Sequence, residues 1–153
     1  MTLNVEDGQD EADFDHLPAR ALYFYDPAGN IVELISRQLV SDDSVDPFSI
    51  TSILHISEIS LTVDDAIDAG KKLNDIGVME RNNDETSTKY LNFMGERSNG
   101  IFILLNQPGR KWIFSDKVSA IYPLEITLTN DHKIEIDSNN GFQIYSSSIK
   151  NRG

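Results

Sequence analysis

Runs of apolar residues alternate with polar punctuation along most of the chain, and one stretch changes to helical spacing. Ala21-Leu22-Tyr23-Phe24-Tyr25 and Ile31-Val32-Glu33-Leu34-Ile35 are rich in aromatic and β-branched side chains, and they flank Asp26-Pro27-Ala28-Gly29-Asn30. This arrangement predicts a β-hairpin over 19–37. In its turn Pro27 presets φ, Asp26 can bond back to the backbone, and Gly29 relieves crowding. A Ser-, Asp- and Pro-rich stretch from Ser41 to Ser49 reads as a linker. Ile56 to Val63 then reads as a strand. Ile59, Leu61 and Val63 share one face of it, and Glu58, Ser60 and Thr62 the other.

A helix is expected next. Asp64 or Asp65 caps it, Asp68 adds charge to its first turn, and Ala66, Ala69, Gly70, Leu73 and Ile76 form a thin apolar stripe. Gly77 suits the left-handed position that closes it. Arg81 to Thr86 reads as a loop. Three strands are expected after it, at Thr88–Met94, Ile101–Leu105 and Ile121–Leu128. A terminal hairpin should join Lys133–Ile136 to Phe142–Tyr145 through Ser138-Asn139-Asn140-Gly141. The first dozen residues are acidic and polar and read as a mobile lead-in. From Ile56 the order is β-α-β-β-β, which makes the expected class α+β.

A chain of 153 residues fits one domain or two small halves. Thirteen Lys and Arg stand against 25 Asp and Glu, a net charge of −12. Such a surface disfavours nucleic acid and anionic membranes as partners. Cysteine is absent. That excludes a disulfide scaffold, a thiol nucleophile and thiolate metal sites, and it fits a reducing compartment. The longest apolar runs, such as Ile101 to Leu105, are too short to span a bilayer, and the N-terminus lacks a signal-peptide layout. The expectation is a cytoplasmic, acidic protein. No Gly-rich phosphate loop, dinucleotide fingerprint or nucleophile elbow is present.

The segment Tyr23-Phe24-Tyr25-Asp26-Pro27-Ala28-Gly29-Asn30-Ile31-Val32-Glu33-Leu34 resembles the last two strands of a module of the vicinal oxygen chelate superfamily. That superfamily contains glyoxalase I, extradiol dioxygenases and bleomycin-resistance proteins. Glu58-Ile59-Ser60-Leu61-Thr62-Val63-Asp64-Asp65 is similar to the first strand and helix start of a second module. The resemblance implies a glyoxalase-like fold, in which β-α-β-β-β modules form a cupped mixed sheet. Residues 1–47 would be a partial first module, and 48–153 a second module with a C-terminal hairpin. No strand and helix precede Ala19 in this reading. Either the chain is a truncated form of a two-module protein, or a homodimer closes the cup.

The resemblance also implies a divalent metal (Fe, Mn, Mg, Ni or Zn), with Glu33 and Glu58 at the ligand positions. A metal of this kind chelates neighbouring substrate oxygens and stabilises an anion. The implied activity is metal-dependent chemistry of lyase or dioxygenase type on a small oxygen-rich substrate. The other readings are a non-catalytic drug- or metabolite-binding protein of the bleomycin-resistance type, and an inactive fragment. Either carboxylate can equally be a solvent-facing Glu on an open sheet. His16 titrates near neutrality and is the candidate catalytic base, or else a plain loop histidine. Tyr23 and Tyr25 share one strand face and are candidates for the pocket wall or for cross-strand packing. Arg110 and Trp112 are candidates for holding an anionic substrate by charge and stacking, or for a turn whose Trp112 packs on the sheet.

Overall fold

Short β-branched and aromatic runs separated by Gly, Pro, Asn and Asp produce a fold made mainly of strands. The computed structural model describes residues 2–3, 8, 10–14, 18–40 and 44–146. In chain order these form β1 (Thr2–Leu3), β2 (Ala12–Phe14), β3 (Ala19–Tyr25), β4 (Ile31–Arg37), a 3₁₀ turn (Ile50–Ser52), β5 (Glu58–Thr62), α1 (Ala66–Asp75), β6 (Asn92–Met94), β7 (Phe102–Asn106), β8 (Leu124–Thr127), β9 (His132–Ile136) and β10 (Phe142–Ser146). Among the described residues, three small sheets and one α-helix make this the expected α+β class. No described helix is long and apolar enough to cross a membrane.

The chain divides into two units. Met1–Ser57, Ser98–Gly100 and Lys111–Lys117 form the first. Its sheet is built on β3, with β4 antiparallel on one side and β1 and β2 on the other. The lead-in therefore contributes strand, against expectation. β3 has a second hydrogen-bonding edge once β4 has taken the first, and Ala12 and Phe14 pair along it with Ala21 and Ala19. The hairpin forms as expected. Asp26 N–H donates to Asn30 O at 2.9 Å, Gly29 N–H donates to Asp26 O at 2.9 Å, and Asn30 N–H donates to Asp26 Oδ1 at 2.8 Å. The Asn30 hydrogen bonds hold the Asp26 carboxyl below its ordinary range. Ala12, Ala21 and Tyr23 are buried together, with Phe14, Ile31, Ile35, Ile113 and Phe114 packed against them.

The second unit comprises Glu58–Arg97, Ile101–Arg110 and Val118–Gly153. Its first sheet has the order β5-β7-β6, with β5 and β7 parallel and β6 antiparallel to β7. A parallel pair needs a crossover, and α1 lies on it. Asp65 caps this helix by accepting from Asp68 N–H at 3.0 Å. Ala66, Ala69, Gly70 and Leu73 are the buried stripe. Gly77 closes the helix at φ +83° and bonds Asn74 O. The stripe meets Leu61, Val63, Met94, Ile103 and Leu105 in one core, which Ile134 and Ile136 complete.

One strand assignment changes. The Ile121–Leu128 region does not close the β-α-β-β-β sheet. Its ordered part, β8, pairs with β9 in a separate antiparallel sheet, β10-β9-β8, whose inner face joins the same core. An isolated bridge lies earlier. Glu80 bridges Met94, and Arg81 N–H donates to Phe93 O at 2.9 Å. From β5 to β7 the order is β-α-β-β, with that bridge between α1 and β6. Thr88–Met94 also shortens to Asn92–Met94, because the Asn92 side chain ties the preceding loop down. Its Oδ1 accepts from Ser87 N–H at 2.7 Å, and its Nδ2 donates to Ser87 O at 2.9 Å.

Candidate functional site

In the first unit, alternation along β3 and β4 places Tyr23, Tyr25, Ile31, Glu33 and Ile35 on one face, with Tyr23 directly opposite Glu33. The Tyr23 hydroxyl donates to Glu33 Oε1 at 2.6 Å. Phenol to carboxylate at this length is a charge-assisted hydrogen bond. Tyr23 is only 5% exposed, and its ring packs on Phe114 with centroids 5.3 Å apart. Phe114 sits at φ +57°, a conformation costly for a bulky residue. The surrounding turn sustains it, with Trp112 N–H donating to Lys117 O at 2.9 Å. Tyr25 is more open, and the Lys117 ammonium lies 5.2 Å from its ring centroid and bonds Gly29 O.

In the second unit the face of β5-β7-β6 turned from α1 carries Glu58, Ser60 and Thr62 beside Phe102, Leu104 and Asn106. Asn106 is its hub. At 2% exposure it accepts from Thr62 Oγ1 at 3.2 Å and donates through Nδ2 to Ser60 Oγ at 3.1 Å and Leu104 O at 3.0 Å. Phe93 and Phe102 meet edge to face at 5.6 Å, and the Arg81 guanidinium stacks 4.0 Å above Phe93. Glu58 stands half-buried at the start of this polar row.

The sequence-derived candidates distribute as follows. Glu33 and Tyr23 come together. Tyr23 is buried and serves the carboxylate, whereas Tyr25 is the exposed phenol of the pair. Glu58 belongs to the other unit. Arg110 and Trp112, neighbours in sequence, also fall in different units. Ser119 fixes the Arg110 turn through its hydroxyl, which accepts from Arg110 N–H at 3.1 Å and donates to Gln107 O at 2.9 Å. His16 lies outside the described residues. Among the described residues no three His, Asp or Glu side chains gather as a metal-holding group.

Three participants escaped the sequence reading: Phe114, Lys117 and Asn106. Phe114 and Lys117 reach β3 and its turn from some ninety positions away, and nothing local marks such contacts. Asn106 had a usable signal, since a polar residue ending the apolar run Phe102-Ile103-Leu104-Leu105 must be satisfied internally if buried.

The segment from β5 to β7 coincides with a match to a known family. A family model described as toxoflavin-degrading enzyme matches residues 56–110, just over a third of the chain. No curated protein matches the chain.

Proposed function

We propose that the chain is an enzyme of the vicinal oxygen chelate type that breaks down a small molecule, with toxoflavin the first substrate to test. The observation that carries this reading is the coincidence of boundaries. The family match starts two residues before β5 and ends four after β7, and so brackets the β5-β7-β6 sheet and its helix. The hairpin with the Asp-Pro-Ala-Gly-Asn turn, which resembles the last two strands of such a module, supports the same reading.

Glu33 is the residue on which the chemistry is proposed to depend. Its carboxylate is oriented by the Tyr23 hydroxyl, and a carboxylate so held is a proton acceptor of fixed direction. In the second unit, Glu58, Ser60 and the Phe93–Arg81 stack present hydrogen-bonding and aromatic surface suited to a small polar ring compound. A divalent metal is part of the family expectation. The described residues do not assemble a ligand set for one, so no step here runs through a metal.

The purified chain should consume toxoflavin, followed by chromatography, and Glu33→Gln should abolish the loss while leaving the fold intact. A second reading is binding without turnover. One observation favours it: the third residue of β7 is Leu104, where the third residue of β4 is Glu33. Saturable binding of toxoflavin without consumption would select that reading.

A further inference from the structure

Two Asn-Gly steps occur in the chain, Asn99-Gly100 and Asn140-Gly141. Such a step carries a reaction of its own. The glycine nitrogen can attack the asparagine side-chain carbonyl carbon, because glycine has no Cβ to stand in the way. An N–C bond forms, the bond to the side-chain nitrogen breaks, and ammonia leaves with the proton from the glycine nitrogen. Water then opens the five-membered imide at either carbonyl, giving aspartate or isoaspartate. The fold treats the two steps differently. Gly100 is buried, and a Cβ built on it would lie 2.7 Å from Arg37 Cδ and 3.2 Å from Val40 Cγ2, so its backbone is packed in place. Asn140 and Gly141 instead sit in the turn between β9 and β10. Asn140 is exposed, and its side-chain amide bonds nothing among the described residues.

We propose that Asn140 is a site of spontaneous deamidation, gated by the Asp137 carboxylate. Asp137 Oδ1 accepts from Gly141 N–H at 2.9 Å and from Asn139 N–H at 2.7 Å. Asp137 N–H donates to Gly141 O, and Asn140 N–H to Asp137 O, each at 3.1 Å. Asn140 takes φ +67° inside this loop, a conformation Asn tolerates. With its N–H given to Asp137, the Gly141 nitrogen is turned away from the Asn140 side-chain carbon. Attack therefore waits for the turn to open, which an exposed hairpin tip does far more readily than a packed loop. The product bears on the fold. Isoaspartate adds a methylene to the backbone just before the Ile136–Phe142 pair, where Ile136 belongs to the core and Phe142 packs against it. Either product sets a second carboxylate beside Asp137. The modification does not depend on the proposed chemistry.

The full chain is incubated in mildly alkaline buffer, folded or in urea, then digested at mildly acidic pH and read by mass spectrometry. In urea both Asn-Gly steps should convert at similar rates. In the folded chain Asn140 should convert about 10–100-fold more slowly than in urea, as a gate open for a minor fraction of the time requires. Asn99 should stay unconverted over the same period. This comparison needs no variant. Asp137→Ala, checked for folding by circular dichroism, should speed conversion of Asn140 about fivefold, the worth of one hydrogen bond. The converted chain should unfold at a lower urea midpoint than the fresh one. Three results would each overturn the proposal. They are equal conversion of Asn99 and Asn140 in the folded chain, no conversion of folded Asn140 within about a hundred of its half-lives in urea, and an Asp137→Ala rate equal to that of the wild type.

Discussion

Tyr23 is almost withdrawn from solvent so that its hydroxyl can hold one oxygen of Glu33, and Phe114 accepts an unfavourable backbone conformation to pack on the same ring. Tyr23→Phe keeps the ring contact and removes only the donor. It should cost about 1–3 kcal/mol in urea denaturation with an unchanged slope. Loss of toxoflavin turnover beyond that of an equally destabilised control would show that the hydroxyl serves the carboxylate and not just the fold. Asn106 offers a sharper test of burial. Asn106→Asp would set a carboxylate against the Leu61 and Leu104 carbonyl oxygens, where Nδ2 now donates. Burial among acceptors favours the protonated acid, so its folded-state pKa lies above its unfolded one. The variant should therefore be most destabilised at pH 7 and recover as pH falls towards about 4, the ordinary range of Asp. A pH-independent deficit would contradict the hydrogen-bond assignment.

The helix and the first hairpin show how far local pattern carries. The cap at Asp65, the stripe from Ala66 to Leu73 and the closing Gly77 were legible because each is set by neighbours within a turn or two. The small residue at Gly70 proves to be a requirement of packing. A Cβ built there would lie 2.9 Å from Thr86 Cβ and closer still to its hydroxyl. Gly70→Ala gains about 1 kcal/mol of helix propensity. The clash should outweigh it, for a net loss of about 1–2 kcal/mol. Thr86→Gly in the same chain should recover most of that, read as the shift in urea midpoint. The hairpin turn carries its own pH dependence. Asp26 is held below its ordinary pKa by Asn30, so its stabilising contribution is present above about pH 4 and is lost as pH falls through the lowered value. Asp26→Asn should remove that part of the acid sensitivity, measured as urea midpoints at neutral and acid pH.

Across the whole molecule, class was legible and strand membership was not. Leu124, Ile126 and Leu128 alternate as well as any strand in the chain, and alternation says nothing about which sheet a strand joins. β8 goes to β9 because the short connection through Asn130 and Asp131, where Asp131 takes φ +63°, makes that pairing local. The bridge at Glu80 was hidden because a single bridge leaves little pattern to read. The site was half legible. Glu33 stood out as a carboxylate in an apolar strand, but Phe114, which packs on its partner Tyr23, lies beyond any local signal, and His16 lies outside the described residues. The central proposal is that this fold acts on a small molecule of the kind toxoflavin-degrading enzymes handle. The direct measurement is toxoflavin remaining after incubation with the purified chain, with EDTA and with Mg²⁺, Mn²⁺, Fe²⁺, Ni²⁺ or Zn²⁺ added singly. Toxoflavin should be lost in proportion to protein under at least one condition, and not with Glu33→Gln. Toxoflavin unchanged from the protein-free control under every condition would contradict it.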